Sequence, residues 1–202
     1  MATAVTKEDI ALGLFDIGGI SFGEFTYKSG IKAPMYVDLR IFVSYPNFLK
    51  KVAKAYAAMI KPLKYDRLAG IAYGALPIAG AVSLEMGEPW VYARKEGLAK
   101  AYGLKKVIEG NYEKGETVLV IDDLTTTGGA KLDIVGTFNS AGLKIKDFVV
   151  LLDYEKGAGQ TLAKKGYKLH SFMTIRELLE ILRQKERLSD EQYKKCIDFL
   201  NS

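Results

Sequence analysis

The chain has 202 residues, of which 49% are apolar and 26% charged, and its formal net charge is +5. This composition is typical of a globular protein with a sizeable core, and no apolar run approaches the roughly 20 residues of a membrane span. A single cysteine, Cys196, and a single histidine, His170, exclude an internal disulfide, a zinc site built on cysteines and a His-rich metal site. They also argue against a Ser-His-Asp triad, and we expect His170 to be structural.

The positive charge has two interpretations, a nucleic acid or an anionic small substrate. The lysines are spread along the chain, with no arginine-rich tail and no helix that is basic throughout, so nucleic-acid binding is not expected. The first residues, MATAVTKEDIALGL, carry acids where a signal peptide needs a basic segment followed by an apolar one. We therefore expect a cytoplasmic protein without membrane association.

The first forty residues predict one helix and a few short strands. Thr6 followed by Asp9 resembles a capping box, which opens a helix towards Asp16 that stops at Gly18-Gly19. The stretch ISFGEFTYKSGIKAPMYVDLR then alternates and carries Gly, Ser and Pro, which favours short strands and turns.

The rest of the chain alternates strands with helices. YPNFLKKVAKAYAAMIK is an amphipathic helix, and Thr174 with Glu177 and Ser189 with Gln192 predict capping boxes of two terminal helices. Between them the predicted strands cover 67–73, 89–94, 117–123, 147–154 and 167–174, and the predicted helices lie near 76–86, 128–141 and 158–165. This alternation implies a mostly parallel sheet covered by helices on both faces.

We therefore predict a single α/β domain over residues 1–202. It would comprise an N-terminal hood segment (1–40), an α/β core (41–174) and C-terminal helices (175–202). The region 94–114 is polar, basic and poorly periodic, and a loop this long in a compact domain is usually functional or disordered.

The stretch VLVIDDLTTTGGAKLD, residues 118–133, carries the clearest functional signal. An aliphatic run typical of a buried strand ends in Asp122 and Asp123, and helical spacing resumes from Ala130. Neither a Walker phosphate loop nor a dinucleotide fingerprint is present. The turn between them offers three hydroxyls and a flexible backbone: Leu124, Thr125, Thr126, Thr127, Gly128 and Gly129.

These residue types suit a phosphorylated sugar. The backbone N–H groups of the turn and the start of the next helix can bind one phosphate. The two acids repel a phosphate, but they can accept hydrogen bonds from a vicinal diol or hold a hard cation such as Mg²⁺. A phosphate and a diol a few ångströms apart describe ribose 5-phosphate. The alternative is a capped helix with surface acids.

The motif resembles the phosphoribosyl pyrophosphate (PRPP) signature of type I phosphoribosyltransferases. Five further stretches, ISFGEFTYKSGIKAPMYVDLR, GIAYGALPIAG, ARKEGLAKAYG, VIEG and LHS, are similar to orotate phosphoribosyltransferase, and more to the domain of eukaryotic UMP synthase than to the short bacterial enzymes. The resemblance runs in order from about Ile10 to Leu182. It implies the type I phosphoribosyltransferase fold, a central sheet with a small hood. The decarboxylase domain that eukaryotic enzymes carry next is not expected, since the chain ends at Ser202.

The resemblance assigns most of a PRPP site. Asp122 and Asp123 would contact the ribose hydroxyls, and the turn Thr125 to Ala130 would hold the 5-phosphate. AYGALP resembles a pyrophosphate loop in which backbone N–H groups face the diphosphate, although Gly74 stands where some members have lysine. The residues that the resemblance places on this loop are Ala72, Tyr73 and Gly74.

A mobile catalytic loop is also implied. Arg94, Lys95, Lys100 and Tyr102 match its residues, with Lys95 as a catalytic residue beside Asp122 and Asp123. The loop is two residues longer than the family pattern, and Ala101 replaces an aspartate, which leaves the register of Lys100 open. The family's loop lysine acts across a dimer interface, so we expect a homodimer.

The base side carries the largest departure. Lys28 would reach the ligand, Met35 and Tyr36 would flank the orotate ring, and Thr126 would touch it. Where the family has an arginine that pairs with the orotate carboxylate, this chain has Tyr154. Lys156 lies in the same turn and would compensate in part.

The resemblance implies transfer of phosphoribose from PRPP to orotate, with Mg²⁺ held mainly by the PRPP diphosphate and no dedicated protein ligand. Two alternatives stay open: a phosphoribosyltransferase for another base, and a PRPP-sensing regulator that binds nucleic acid.

Overall fold

In the computed structural model the described residues are 4–27, 30–94 and 107–202. Their strands are β1 (Ile20–Thr26), β2 (Lys32–Val37), β3 (Arg67–Gly70), β4 (Trp90–Ala93), β5 (Ile108–Glu109), β6 (Thr117–Thr125), β7 (Lys144–Asp153) and β8 (Lys168–Thr174). Their α-helices are α1 (Lys7–Asp16), α2 (Pro46–Ile60), α3 (Leu76–Met86), α4 (Gly129–Asp133), α5 (Val135–Ser140), α6 (Ala158–Ala163), α7 (Ile175–Gln184) and α8 (Asp190–Asn201). A 3-10 helix, Leu39–Ser44, joins β2 to α2.

The main sheet has six strands among the described residues, in the order β5-β4-β3-β6-β7-β8. Every neighbouring pair is parallel except β4 and β5, so the prediction of a mostly parallel sheet is confirmed. The strands β1 and β2 form a separate antiparallel pair. Strand β6 is therefore central, with β3 on one side and β7 on the other.

The alternation of β6 divides the core between the two faces of the sheet. Leu119 and Ile121 pack into a cluster shared with α1, α2, α3, α7 and α8. Val118 and Val120 face the opposite way, towards a second cluster shared with α5 and α6. Helices thus cover both faces, as predicted. None of the helices among the described residues is long and apolar enough to cross a membrane.

Helix ends follow the sequence signals with one exception. Both predicted reciprocal bonds form at Thr6–Asp9 and at Thr174–Glu177. The capping box predicted at Ser189 is wrong in one half: the Ser189 hydroxyl accepts from the Gln192 N–H, but the Gln192 side chain donates to the Pro34 carbonyl at 3.3 Å. This side-chain amide ties α8 to β2 instead of closing its own helix.

Of two other sequence expectations, the first is wrong and the second agrees with the structure. The single helix predicted over 128–141 is two short helices, α4 and α5, which meet at Ile134. His170 lies in β8, and its Nε2 is 2.7 Å from Asp147 Oδ1 on the neighbouring strand. That contact gives His170 a partner within the sheet and agrees with a structural role.

Candidate active site

Asp122 and Asp123 lie at the carboxyl end of the central strand. In a parallel sheet this edge collects the loops that follow each strand, which is where α/β proteins bind ligands. The neighbouring strand β7 ends beside them, since Thr125 pairs with Asp153 and the Tyr154 N–H donates to the Thr125 carbonyl at 2.9 Å. The acid pair and Tyr154 are therefore brought together by the sheet.

The Asp122 carboxylate is bound from inside the protein. Its Oδ2 accepts from Lys131 Nζ at 2.7 Å, and its Oδ1 accepts from the Asp123 N–H at 3.0 Å. The Lys131 ammonium also donates to the Leu124 carbonyl at 2.9 Å, although only 2% of Lys131 is exposed. The Tyr56 hydroxyl, buried on α2, donates to the Asp122 carbonyl at 2.6 Å. These bonds fix the end of β6.

Asp123 is the more accessible acid. Burial, followed by the charge of Asp122, raises the pKa of Asp123 to about 6, against the Leu124 N–H and the charge of Lys131, which lower it. The carboxylate contacts the loop after β3: a Cβ added at Gly74 would lie 2.7 Å from Asp123 Oδ2. Gly74 therefore leaves room for the acid, and a lysine at this position would displace it.

The predicted phosphate turn has two exposed hydroxyls and one buried one. Thr126 and Thr127 are exposed, as are Gly129 and Ala130. Gly128 has φ of 87° and lies against Ala158, so a side chain there would be strained. The helix that follows, α4, has only five residues, so its dipole adds less than the sequence suggested.

Thr125 differs from the other two threonines. It is 2% exposed, and its hydroxyl is buried without a hydrogen-bond partner. Its side chain does not reach the turn surface, so any role of Thr125 in binding phosphate falls to its backbone.

One cavity beside the turn, here the Arg94 cavity, measures about 430 Å³. It is lined by Gly70, Ile71, Ala72, Ala93, Arg94, Ala130, Asp133, Ile134 and Thr137. Arg94 is paired with Glu109 on β5, and its N–H donates to the Val107 carbonyl. Next to Ala72, Tyr73 is 57% exposed, and the peptide bond between them is cis. The loop AYG and the turn 125–130 thus border one space.

The second cavity, here the Tyr154 cavity, measures about 460 Å³ and lies on the other side of the turn. Its walls are Tyr27, Ile31, Tyr36, Val37, Leu124, Thr126, Tyr154, Lys156, Phe199 and Ser202. The rings of Tyr27 and Phe199 meet edge to face, with centroids 6.2 Å apart. Burial raises the pKa of Tyr154, so its hydroxyl stays a neutral donor. Lys156 Nζ donates to the Leu200 carbonyl at 3.0 Å.

The residues predicted around the base are only partly brought together. Tyr36, Thr126 and Tyr154 line the Tyr154 cavity. Met35 does not line it, because its side chain is fully buried in the core. Its backbone carbonyl accepts from the Tyr27 hydroxyl at 3.1 Å. Four predicted residues lie outside the described part of the chain: Lys28, Lys95, Lys100 and Tyr102.

Sequence reasoning missed Lys131 and Phe199. A lysine on a predicted helix face indicates a solvated side chain, and no local pattern indicates its contact with Asp122, nine residues away. Phe199 belongs to α8 and reaches the cavity through packing of α8 on β2, which no local motif indicates.

Known proteins share this architecture. Residues 41–177 match the model of the family described as phosphoribosyl transferase domain. The chain is 40% identical to the bifunctional enzyme PyrF/PyrE of Nostoc sp., over 92% of this chain and 38% of that protein. It is 34% identical to an orotate phosphoribosyltransferase of Caenorhabditis elegans, over 98% of this chain and 88% of that protein.

A solved structure agrees with these relatives. The structure of Leishmania donovani UMP synthase superposes with a TM-score of 0.88 and 39% identity, covering 96% of this chain and 42% of that one. The chain thus spans well under half the length of the bifunctional relatives, but most of the length of the orotate phosphoribosyltransferase.

Proposed function

We propose, because this chain belongs to the phosphoribosyl transferase domain family, that it is an orotate phosphoribosyltransferase. It transfers 5-phosphoribosyl from PRPP to orotate, giving orotidine 5'-phosphate and pyrophosphate in UMP biosynthesis. One observation carries the proposal: the turn after β6 separates two cavities of different chemistry, with Ala130 in the wall of one and Leu124 and Thr126 in the wall of the other. A reaction that joins a sugar phosphate to a base needs both spaces to meet at the sugar.

PRPP occupies the turn and the Arg94 cavity. The ribose hydroxyls donate to the acid pair, and the backbone and hydroxyls of Thr126 to Ala130 bind the 5-phosphate. The diphosphate lies against Ala72 and Arg94, where small side chains leave the backbone accessible. Gly74 keeps that loop in contact with the Asp123 carboxylate.

The reaction needs charge stabilisation more than a protein nucleophile. Departure of pyrophosphate from C1 gives the sugar oxocarbenium character and places negative charge on the leaving group. Asp123 and Asp122 hold the sugar on the side of developing positive charge, and Arg94 faces the developing anion. Orotate is already an anion, so no general base is needed to start the attack.

We also propose Mg²⁺ as the cofactor. No cluster of three acids, histidines or cysteines that would hold a metal is present among the described residues. Asp122 is already paired with Lys131. The Arg94 cavity has room for a diphosphate, and the diphosphate's own oxygens are hard ligands for Mg²⁺. This chemistry fits a cation that arrives with PRPP. Bound there, Mg²⁺ would supply positive charge to offset the charge of the leaving group.

Orotate occupies the Tyr154 cavity. Its ring packs among the aromatic walls, and its carboxylate faces Tyr154 and Lys156 in place of the family's arginine. A tyrosine offers one neutral donor where a guanidinium offers two charged ones, so this cavity also favours a second candidate, a transferase for another base.

Three further properties belong to the same proposal. The enzyme is a homodimer in which Lys95 and Lys100 act at the partner's site, as the resemblance implies. It is cytoplasmic, in keeping with one buried cysteine, Cys196. Lys95→Ala depresses turnover more than PRPP binding.

The test is a spectrophotometric assay with PRPP, Mg²⁺ and a panel of bases. Consumption of orotate supports the main proposal, and consumption of only another base supports the second candidate. No turnover together with tight RNA or DNA binding would overturn both in favour of a PRPP-sensing regulator.

A further inference from the structure

Lys131 is the one fully buried cation among the described residues, and the proposed reaction gives it no task. A buried ammonium is costly unless it is paired and hydrogen-bonded. Lys131 meets both conditions on one strand end, through Asp122 Oδ2 at 2.7 Å and the Leu124 carbonyl at 2.9 Å. With 2% of its surface exposed, Lys131 does not itself contact a ligand in the turn.

The two oxygens that Lys131 binds flank Asp123 in sequence. Asp123 therefore lies between two anchored residues, and its N–H is held by Asp122 Oδ1. The ammonium group also lies next to the carboxylate whose charge most directly opposes ionisation of Asp123. Lys131 therefore affects both the position and the ionisation of Asp123, the acid that is more accessible to a ligand.

We propose that Lys131 is a positioning residue for the ribose-binding acids, which offsets the charge of Asp122 and fixes the end of β6 so that Asp123 meets the ribose hydroxyls as an anion. The inference rests on the proposed function, since it needs a sugar diol at Asp123. Lys131 would act on the sugar site through its bonds to Asp122 and Leu124 and not by contact with the substrate.

Asp123 is surrounded by few other charges. From β6 it faces Asp122, from α4 Lys131, and from α2 the neutral Tyr56. The loop after β3 presents Gly74, beside which lies the Arg40 side chain, whose guanidinium is paired with Asp38. Among these groups Lys131 is the positive charge that lowers the pKa of Asp123, and its removal should raise that pKa, which is already about 6.

The experiment measures ribose 5-phosphate binding by calorimetry from pH 5.5 to 9 in wild type and in Lys131→Met. The substrate's own ionisation is common to both proteins, so the difference in midpoint reports the protein. We expect the midpoint to rise by roughly one pH unit or more, which weakens binding at pH 6 about fivefold relative to wild type and much less at pH 9. Lys61→Met, at the exposed end of α2, should leave the midpoint unchanged.

A purely structural lysine would lower the melting temperature without moving the midpoint, and that result would overturn the inference. Should Lys131→Met fail to fold, Asp122→Asn is compared with Asp122→Asn/Lys131→Met. Both lack the charge of Asp122, so any difference in midpoint belongs to Lys131. We expect the double variant to titrate at the higher pH, and equal midpoints would again overturn the inference.

The outcome is separable from the fate of the proposed function. If wild type consumes no orotate but the midpoint shifts, the orotate proposal fails and the role of Lys131 stands. If wild type consumes orotate and the midpoint stays, the role of Lys131 fails alone.

Discussion

The two cavities beside the central strand are built by different means. Four of the nine residues that line the Arg94 cavity are glycine or alanine, and Arg94 and Asp133 supply its charged side chains. The Tyr154 cavity is lined by three tyrosines, a phenylalanine and Lys156, contributed by the residue after β1, by β2, by the loop after β7 and by α8. One wall is thus rich in small residues, and the other is rich in aromatic side chains.

For the proposed function, this difference separates recognition of PRPP from recognition of the base. In the proposed function, backbone N–H groups and threonine hydroxyls of the turn bind the 5-phosphate, so its recognition depends little on large side chains. A wall of side chains changes its ligand with each substitution. Residues at the acid turn should therefore govern PRPP, and residues such as Tyr154 should govern the base.

Asp123→Asn tests the assignment of PRPP to the acid turn, and we expect it to give the largest effect. Loss of two charge-assisted hydrogen bonds of about 1.5–3 kcal/mol each should raise the Kd for PRPP by about 100-fold or more. The same change should stabilise the free protein. The folded pKa of Asp123, about 6, lies above its unfolded value of 3.8, so wild type is penalised for ionisation at pH 8.

We expect the Asp123→Asn substitution to remove that penalty, which is on the order of 1–3 kcal/mol at pH 8, and the advantage to vanish as pH falls through 6 towards 4. Calorimetric PRPP titration and ligand-free thermal melts at pH 8 and pH 4 measure both effects. Asp16→Asn, at the exposed end of α1, is the matched control. An unchanged PRPP affinity would remove Asp123 from the sugar site.

Gly74→Ala should give the next largest effect. The new Cβ would lie 2.7 Å from Asp123 Oδ2, so the carboxylate must move away from the position that faces the ribose. We expect the KM for PRPP to rise about tenfold, equivalent to about 1.4 kcal/mol, and the KM for orotate to change little.

Gly80→Ala, within α3, is the control, because the added Cβ would meet only Trp90 Cζ2, at 3.8 Å. It should gain up to about 1 kcal/mol of stability from helix propensity and keep PRPP affinity. Wild-type kinetics in Gly74→Ala would show that the AYG loop does not position the acid.

The contact at Gly74 also shows which features of the molecule the sequence predicts and which it does not. The mostly parallel sheet and the caps at Thr6 and Thr174 follow from local patterns, and the structure confirms them. The close contact between Gly74 and Asp123 does not follow, because it depends on how two strand ends approach in space. Lys131 was invisible for the same reason: a helical lysine is buried only when tertiary packing supplies a carboxylate.

Tyr154→Phe tests the assignment of the base to the Tyr154 cavity. Loss of the only donor on this ring should raise the KM for orotate about tenfold, with the KM for PRPP within about twofold of wild type. Steady-state kinetics with each substrate varied in turn measure the ratio. Tyr167→Phe, whose ring packs on Phe148 in the other cluster, should change neither constant. Equal losses for both substrates would contradict the division between the cavities.

The smallest expected effect tests the boundary between the cavities, at Thr125. Its hydroxyl is buried without a partner, so wild type loses a hydrogen bond to water on folding and gains none. Thr125→Val keeps the shape and should stabilise the protein by about 1 kcal/mol in thermal melts. Because the hydroxyl does not reach the turn, the KM for PRPP should stay within about threefold, whereas Thr126→Val, which removes an exposed hydroxyl of the turn, should raise it more. A large loss of PRPP affinity in Thr125→Val would mean that this hydroxyl rotates onto the phosphate.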